Sequence, residues 1–403
     1  MKILFISGVP YGSTGKIIKS ISKRCENSGI QTTMFFGWTK KRAKAKNVFV
    51  GSFFGKLFHS FLSKITGFED SFSVIDTLRL IHLIKRIKPD IINLHLIHSW
   101  YVNLNILFNY LSKTNIKIIW TFHDCWSFTG HCTHFTLNSC YLWKTGCHNC
   151  SRLKDYPMSI VDNSKRMWNK KKNLFTSVRN ITVVTPSIWL SKLVQESFFK
   201  QYKIQVINNG IDLSKFKPSE NDLRIKYNLA NRIVILGVCM DWGYKKGLDI
   251  FVELSDKLPS SEYAVILVGI KKVEIEKVAP NIISIDRTNS QEELAKYYTS
   301  ADIFLNPTRE ENFPTVNIES LACGTPVITF DTGGCSEIID DSCGVVLKEK
   351  DLDHVLKAIE SIKNKKQSMH YDCIKRSKQF DENICFEQYI SLFREIDSIN
   401  HDK

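Results

Sequence analysis

Short apolar runs rich in β-branched residues recur along the chain, each followed by a stretch with helical spacing. That alternation leaves few architectures open. The runs fall at 2–7, 31–36, 90–94, 117–122, 181–185 and 203–207, pause at "NNGIDLSKFKP" (208–218), and restart at 232–238, 263–269, 281–285, 302–307 and 325–330. Strands separated by helices require parallel sheets with right-handed crossovers. The chain therefore reads as α/β, with two doubly wound domains. A length of 403 residues agrees, since one core seldom sustains so much chain. The expected division is a first domain over 1–207, a linker over 208–218, a second domain over 219–380, and a helix within 381–403 that packs back on the first domain. Ligands of such sheets bind beyond the carboxyl ends of the strands, so two facing domains would bind theirs in the cleft.

Composition narrows the function classes. The chain is 43% hydrophobic and 24% charged, as globular proteins are. It shows neither a leader of basic then apolar residues nor a run of about 18 apolar residues able to span a bilayer. Its 12 cysteines are therefore expected as thiols or metal ligands and not as disulfides. Residues 1–200 hold 29 Lys and Arg against 9 Asp and Glu, while the remainder holds 26 against 32. The first half should face something anionic: nucleic acid, a membrane surface or a phosphorylated substrate.

"YGSTGKII" (11–18) resembles a nucleotide-triphosphate loop, but Ile17 stands where that loop needs Ser or Thr, and Pro10 where it needs Gly. An ATPase is not expected. The run "KILFISG" (2–8) does place Gly12 and Gly15 on a strand-to-helix turn. Such a turn suits an anion or a close ligand; glycines required by the backbone alone are the other reading.

The most specific stretch is "PTREENFPTVNIESLACGTPVITFDTGG" (307–334). Pro314 suits the start of a helix and Gly324 its end. The helix start would hold a diphosphate. Glu311 just before it and Glu319 in its second turn would then meet the hydroxyls at the two ends of a sugar nucleotide.

At these residues the chain resembles glycosyltransferase family 4, the group 1 retaining transferases of GT-B fold. Glu311 and Glu319 match the family's E-x7-E motif, "NNGIDLSKFKP" its interdomain segment, "VTPSIWL" (184–190) its "tpS.wl" element and "KKGL" (245–248) its "KGl". "HLIHSWYVN" (95–103) and "WTFHDCWSFTGHC" (120–132) resemble the branch that builds O-antigen, colanic acid and capsule. The resemblance implies roles. Glu311 would bind the transferred sugar, Glu319 the donor ribose, and Lys246 the diphosphate. Lys245 would replace a common Arg, without that residue's bidentate fork. His123 would touch the donor sugar, with His95 and His98 as weaker candidates. Gly12, Gly15, Phe313 and Thr315 would complete the donor site. Pro314 departs from the family by removing a backbone N–H. Transfer would need no metal cofactor, because cationic side chains and the helix dipole meet the charge on the leaving diphosphate.

Cys132, Cys140, Cys147 and Cys150 form C-x7-C-x6-C-x2-C, whose last pair has metal-ligand spacing. A structural zinc is one reading; buried thiols or a redox pair are the others. "SFFGKLFHSFLSKITGF" (52–68) puts Phe54, Phe58, Leu62 and Ile65 on one side of a helix, for a core or for anionic lipid. The basic runs 40–46 and 170–172 would add attraction to such a surface, or be solvated faces.

Together these readings predict a cytoplasmic enzyme, peripheral on the inner face of the membrane. It would move a sugar from a UDP- or GDP-linked donor to a lipid-diphosphate-linked glycan, without a nucleic-acid partner. A sugar-nucleotide epimerase of the same architecture and a zinc-stabilised nucleic-acid binder are the rivals. The basic half speaks against the first. The second lacks interleaved aromatic and basic residues.

Overall fold

A computed structural model describes residues 1–39, 48–276 and 278–398. They form two compact units, one of residues 1–208 with the segment from 386 onward, the other of residues 209–385.

The first unit holds a seven-stranded sheet: β1 (Lys2–Ser7), β2 (Gln31–Phe36), β3 (Val48–Val50), β4 (Ile91–Leu94), β5 (Lys117–Thr121), β6 (Ile181–Thr185) and β7 (Lys203–Val206), in the order β3-β2-β1-β4-β5-β6-β7. Every pairing is parallel. The second unit holds β8 (Ile233–Val238), β9 (Tyr263–Val268), β10 (Ile283–Ile285), β11 (Ile303–Asn306), β12 (Val327–Phe330) and β13 (Gly344–Leu347), in the order β10-β9-β8-β11-β12-β13, again all parallel. Near-continuous apolar strands such as "IVILGV" and "YAVILV" are what a sheet covered on both faces requires. Each sheet is doubly wound, and its strand order reverses beside its first strand: between β1 and β4, and between β8 and β11. A crevice opens at such a reversal, and the sequence motifs lie on the loops that border these two.

Three α-helices follow residue 365 among the described residues: Lys366–Ser377, Glu382–Cys385 and Glu387–Ser398. The last belongs to the first unit. Its Tyr389 hydroxyl lies 3.2 Å from Thr121 Oγ1 on β5, and Phe393 meets Phe5 on β1 edge-on.

Two expectations change here. The helix Phe53–Thr66 is not a core helix, since it buries only His59 and Ser63. His59 Nδ1 sits 2.6 Å from Ser73 Oγ, whose own proton goes to the Trp100 carbonyl, so the polar side is tied inward. Phe54 is 81% exposed, and Phe58 and Phe61 61% each. The run 170–172 is likewise solvated only in part, at Lys172. Lys171 is fully buried over the Trp126 ring and donates to the Trp126 and Thr129 carbonyls, and Lys170 reaches Ser71 and Asp70. Buried cations need such acceptors, because an unpaired charge inside a protein is costly. The basic run 40–46 lies outside the described residues.

Candidate functional site

In the second unit the site is assembled from the loops after β8 and β11. The turn Tyr244–Lys246 and the loop 307–314 are stapled together. Arg309 N–H donates to the Lys245 carbonyl, while the Arg309 guanidinium binds Asp249 with two bonds of 2.8 and 2.7 Å and lies over the Tyr244 ring. A bidentate pair of this kind fixes orientation as well as distance. Lys246 Nζ then reaches Glu311 Oε2 at 2.8 Å and the Glu310 carbonyl at 3.2 Å. Burial alone would lower the Lys246 ammonium, but the Glu311 carboxylate reverses this and holds it above the usual lysine range. The other Glu311 oxygen accepts from the Asn312 N–H at 3.0 Å. Lys245 Nζ lies 3.7 Å from Glu310.

The helix Thr315–Ala322 begins one residue after Pro314, whose ring makes no capping bond. A helix N-terminus without such a cap suits an anion. Glu319 is buried in its second turn and accepts from the Tyr298 hydroxyl at 3.0 Å. Gly333 is held at φ +59°, where a Cβ would come 2.0 Å from the Glu311 carbonyl oxygen. Glycine is thus required there for the carboxylate loop to close against the next strand's loop. Phe313 has its side chain buried in the core against Phe380. Thr315 is half-buried at the helix start.

In the first unit the loops after β1, β4 and β5 converge. Gly12 has φ +72°, and a Cβ on Gly15 would lie 2.3 Å from the Pro10 carbonyl carbon, so both glycines have a backbone reason to be there. Buried Asn93 on β4 donates to the Ile119 carbonyl at 2.9 Å and holds His95 Nε2 at 3.0 Å. His95 Nδ1 meets His123 Nε2 at 2.9 Å. Burial pushes both imidazoles down, His123 to about 4, so both are neutral near pH 7. Beside them His98 bridges Asp124 at 2.9 Å and the Tyr156 hydroxyl at 3.0 Å, with Ser99 Oγ a further 3.1 Å from that hydroxyl. Burial would raise the Asp124 carboxyl, yet His98 and the Trp126 N–H hold it below the usual range. Ser99 and Trp100 sit at φ 93° and 61°, a strain that non-glycine residues bear where the surroundings enforce it.

The cysteine segment folds through three short turns between β5 and the helix Ser164–Thr176. The neighbouring Cys132 thiol draws Cys150 down, while burial pushes Cys147 up to about 11. Cys140 acts on Cys147 electrostatically. Among the described residues no three His, Cys, Asp or Glu side chains stand as a ligand set for a metal.

Sequence reasoning missed Asn93, Tyr298, Arg309 and Asp249. Asn93 alone carried a signal, as a polar residue inside the apolar run "IINL". The rest depend on tertiary contacts.

The model for glycosyl transferases group 1 matches residues 222–380, and that for glycosyltransferase family 4 matches residues 15–215. The chain belongs to this glycosyltransferase family. A protein named as a colanic acid biosynthesis glycosyl transferase, WcaC of Escherichia coli strain K12, is 26% identical to this family member over 281 residues, 66% of this chain and 65% of that one. The capsular polysaccharide biosynthesis glycosyltransferase CapM of Staphylococcus aureus is 25% identical over 223 residues, 50% of this chain and 58% of that one. The chain thus spans less than two-thirds of the length of these curated relatives. Among solved structures, sucrose-phosphate synthase from Thermosynechococcus elongatus superposes with a TM-score of 0.73 at 15% identity, over 99% of this chain and 100% of that one. Anabaena HepE, solved with UDP-glucose, does so with a TM-score of 0.64 at 16% identity, over 98% and 100%. At such identities the likeness is one of fold: two Rossmann-like domains of the GT-B class.

Proposed function

We propose that the protein is a retaining glycosyltransferase. It would move a sugar from a UDP- or GDP-linked donor to a lipid-diphosphate-linked glycan, in the assembly of an O-antigen, capsule or exopolysaccharide. The observation that carries this reading is the Lys246–Glu311 pair set beside the helix Thr315–Ala322, with Glu319 one turn further. On donor binding the pair exchanges partners: sugar hydroxyls take Glu311, and the diphosphate takes Lys246 and the helix N-terminus. Glu319, steadied by Tyr298, takes the ribose. Charge growing on the leaving diphosphate is then met by fixed cationic and N–H groups, which costs no reorganisation during reaction. The diphosphate itself accepts the proton of the attacking hydroxyl, and transfer proceeds without an added metal. The names of the relatives and the UDP-glucose held by HepE support the donor class and the pathway.

Association with anionic lipid is supported by the outward face of Phe53–Thr66. The segment beside it adds to that face: Ile160 N–H donates to the Lys64 carbonyl at 2.8 Å, and Met158, Ile160 and Val161 are exposed. A bilayer fits this patch because the first half of the chain is strongly basic. No helix of the described residues is long and apolar enough to cross a membrane. A structural zinc on Cys132, Cys140, Cys147 and Cys150 is supported by the metal-ligand spacing of the last pair, and it would have to draw together thiols that do not stand as a ligand set among the described residues.

A thermal-shift screen of nucleotide sugars tests the donor site. A donor at about 100 times its dissociation constant adds roughly 2.7 kcal/mol. Glu311→Ala is expected to abolish transfer and to retain the fold. Near-full turnover in that variant would refute the site. Release of free nucleotide only with acceptor glycan present separates transfer from epimerisation.

A further inference from the structure

Arg309 joins the two loops that carry the proposed diphosphate-binding groups. It comes directly before Glu310 and Glu311 in the chain, and it grips the backbone that leads into Lys246. Its N–H donates to the Lys245 carbonyl at 2.8 Å, and its guanidinium donates to the Tyr244 carbonyl at 2.7 Å. The same guanidinium forks onto both oxygens of Asp249, in the first turn of the helix Leu248–Lys257. Its central carbon lies 4.1 Å from the centre of the Tyr244 ring. A lysine in its place would lack the planar fork that meets two carboxylate oxygens side by side. Steric contact sets the same approach. Gly247 is held at φ +72°, where a Cβ would come 2.5 Å from the Pro307 carbonyl oxygen. Buried Thr308 has its hydroxyl 3.4 Å from the Lys245 carbonyl and 3.0 Å from the Glu310 carbonyl. Arg309 is itself 6% exposed and its charge is met by Asp249, so it is built to hold and not to bind an anion. What the clamp fixes is one ammonium. Lys246 is rooted on the first loop, and its acceptors, Glu311 Oε2 at 2.8 Å and the Glu310 carbonyl at 3.2 Å, belong to the second. A four-carbon stem is flexible, so its tip stays in place only while root and acceptors keep their separation.

We propose that Arg309 and Asp249 are positioning residues that set Lys246 against Glu311, so that the ammonium stands ready when a nucleoside diphosphate arrives. This rests on the reading that Lys246 meets the diphosphate, and it adds the residues through which that contact is fixed. Neither Arg309 nor Asp249 needs to touch the ligand. With the clamp weakened, the loops after β8 and β11 lose their register and Lys246 keeps its charge without a fixed place. Each binding event must then order that side chain again, which lowers affinity.

Calorimetric titration of the full chain with UDP, and in parallel with GDP, tests this through a double-mutant cycle. Lys246→Met is expected to weaken the tighter of the two nucleotides by about tenfold or more, as loss of a charged contact does. Arg309→Lys is expected to weaken it about tenfold. The two changes together are expected to bind no more than about twofold more weakly than Lys246→Met alone, because a residue that acts through another adds nothing once the other is gone. Asp249→Asn keeps one acceptor oxygen for Arg309. It is expected to cost about threefold in the parent and nothing measurable on top of Lys246→Met, and it carries the same comparison where Arg309→Lys does not fold. A clamp that serves stability alone predicts independent losses that multiply. Multiplied losses in a folded double variant, or undiminished binding in folded Arg309→Lys and Asp249→Asn, would overturn the positioning role and leave Lys246 at the diphosphate. Undiminished binding in Lys246→Met, or no binding of either nucleotide by the parent chain, would instead overturn the reading on which the proposal rests.

Discussion

Replacing Phe54 and Phe58 together by serine separates the outward helix face from an ordinary packed helix. A Phe side chain presents about 200 Å² when fully exposed. At 81% and 61% exposure the two rings leave on the order of 160 and 120 Å² in water. Full transfer of that area to hydrocarbon would gain about 7 kcal/mol at ~25 cal/mol per Å². A helix lying in the interface immerses about half of each ring, which leaves roughly 3 kcal/mol. Each factor of ten in partitioning corresponds to about 1.4 kcal/mol, so the double variant is expected to bind vesicles about a hundredfold more weakly. The folded state should hardly notice the change. A buried Phe cut to Ala costs about 3–5 kcal/mol, whereas these rings already face water. The assay is sedimentation with vesicles containing anionic lipid, at low and high salt, alongside denaturant unfolding. Electrostatic attraction from Lys56 and Lys64 should survive in the variant and disappear with salt, whose screening length is about 8 Å near physiological strength. Undiminished vesicle binding by the double variant would refute the lipid face. A stability loss above about 2 kcal/mol would refute the exposure on which it rests.

Acid should weaken the first unit. Burial lowers His59 to about 4, so between that value and the ordinary ~6.5 the unfolded chain binds a proton that the fold does not. The loss is nil above pH ~6.5, grows as pH falls, and reaches about 3 kcal/mol once pH is below 4; a pH series of denaturant midpoints that stays flat from 7 to 4 would count against it. Elemental analysis of protein purified without added metal should find one zinc per chain, with Cys147→Ser destabilising the first unit and EDTA sparing turnover. Well under one zinc per chain, with Cys147→Ser as stable as the parent, would leave four ordinary thiols.

Much of this was legible in the sequence because period and punctuation carry it. "YAVILV" and "DIFLNP" announce covered parallel strands, and Pro314 and Gly324 bracket a helix by their own backbone limits. Two edge strands, Val48–Val50 and Gly344–Leu347, escaped notice since three or four residues carry too little pattern. The helix Phe53–Thr66 shows a different limit. Its pattern is amphipathic whichever side faces in, and only Ser73 and the Trp100 carbonyl, far along the chain, decide that His59 is the inner side. The run 170–172 fails for the same reason: a lysine's neighbours on its helix do not reveal that two backbone carbonyls and an indole ring wait for it. The carboxylates 311 and 319 could be placed by spacing. Their partners Lys246 and Tyr298 could not, because each comes from another loop or helix.

The return of the segment Glu387–Ser398 to the first sheet bears on how the protein is made. On a ribosome adding about 5–20 residues per second, the second unit takes roughly ten to thirty seconds to emerge after β7. Through that interval the place of Tyr389 and Phe393 beside β1 and β5 stays open, and Phe5 and Thr121 lack their native cover. The half of the chain that is translated first is thus the half that matures last.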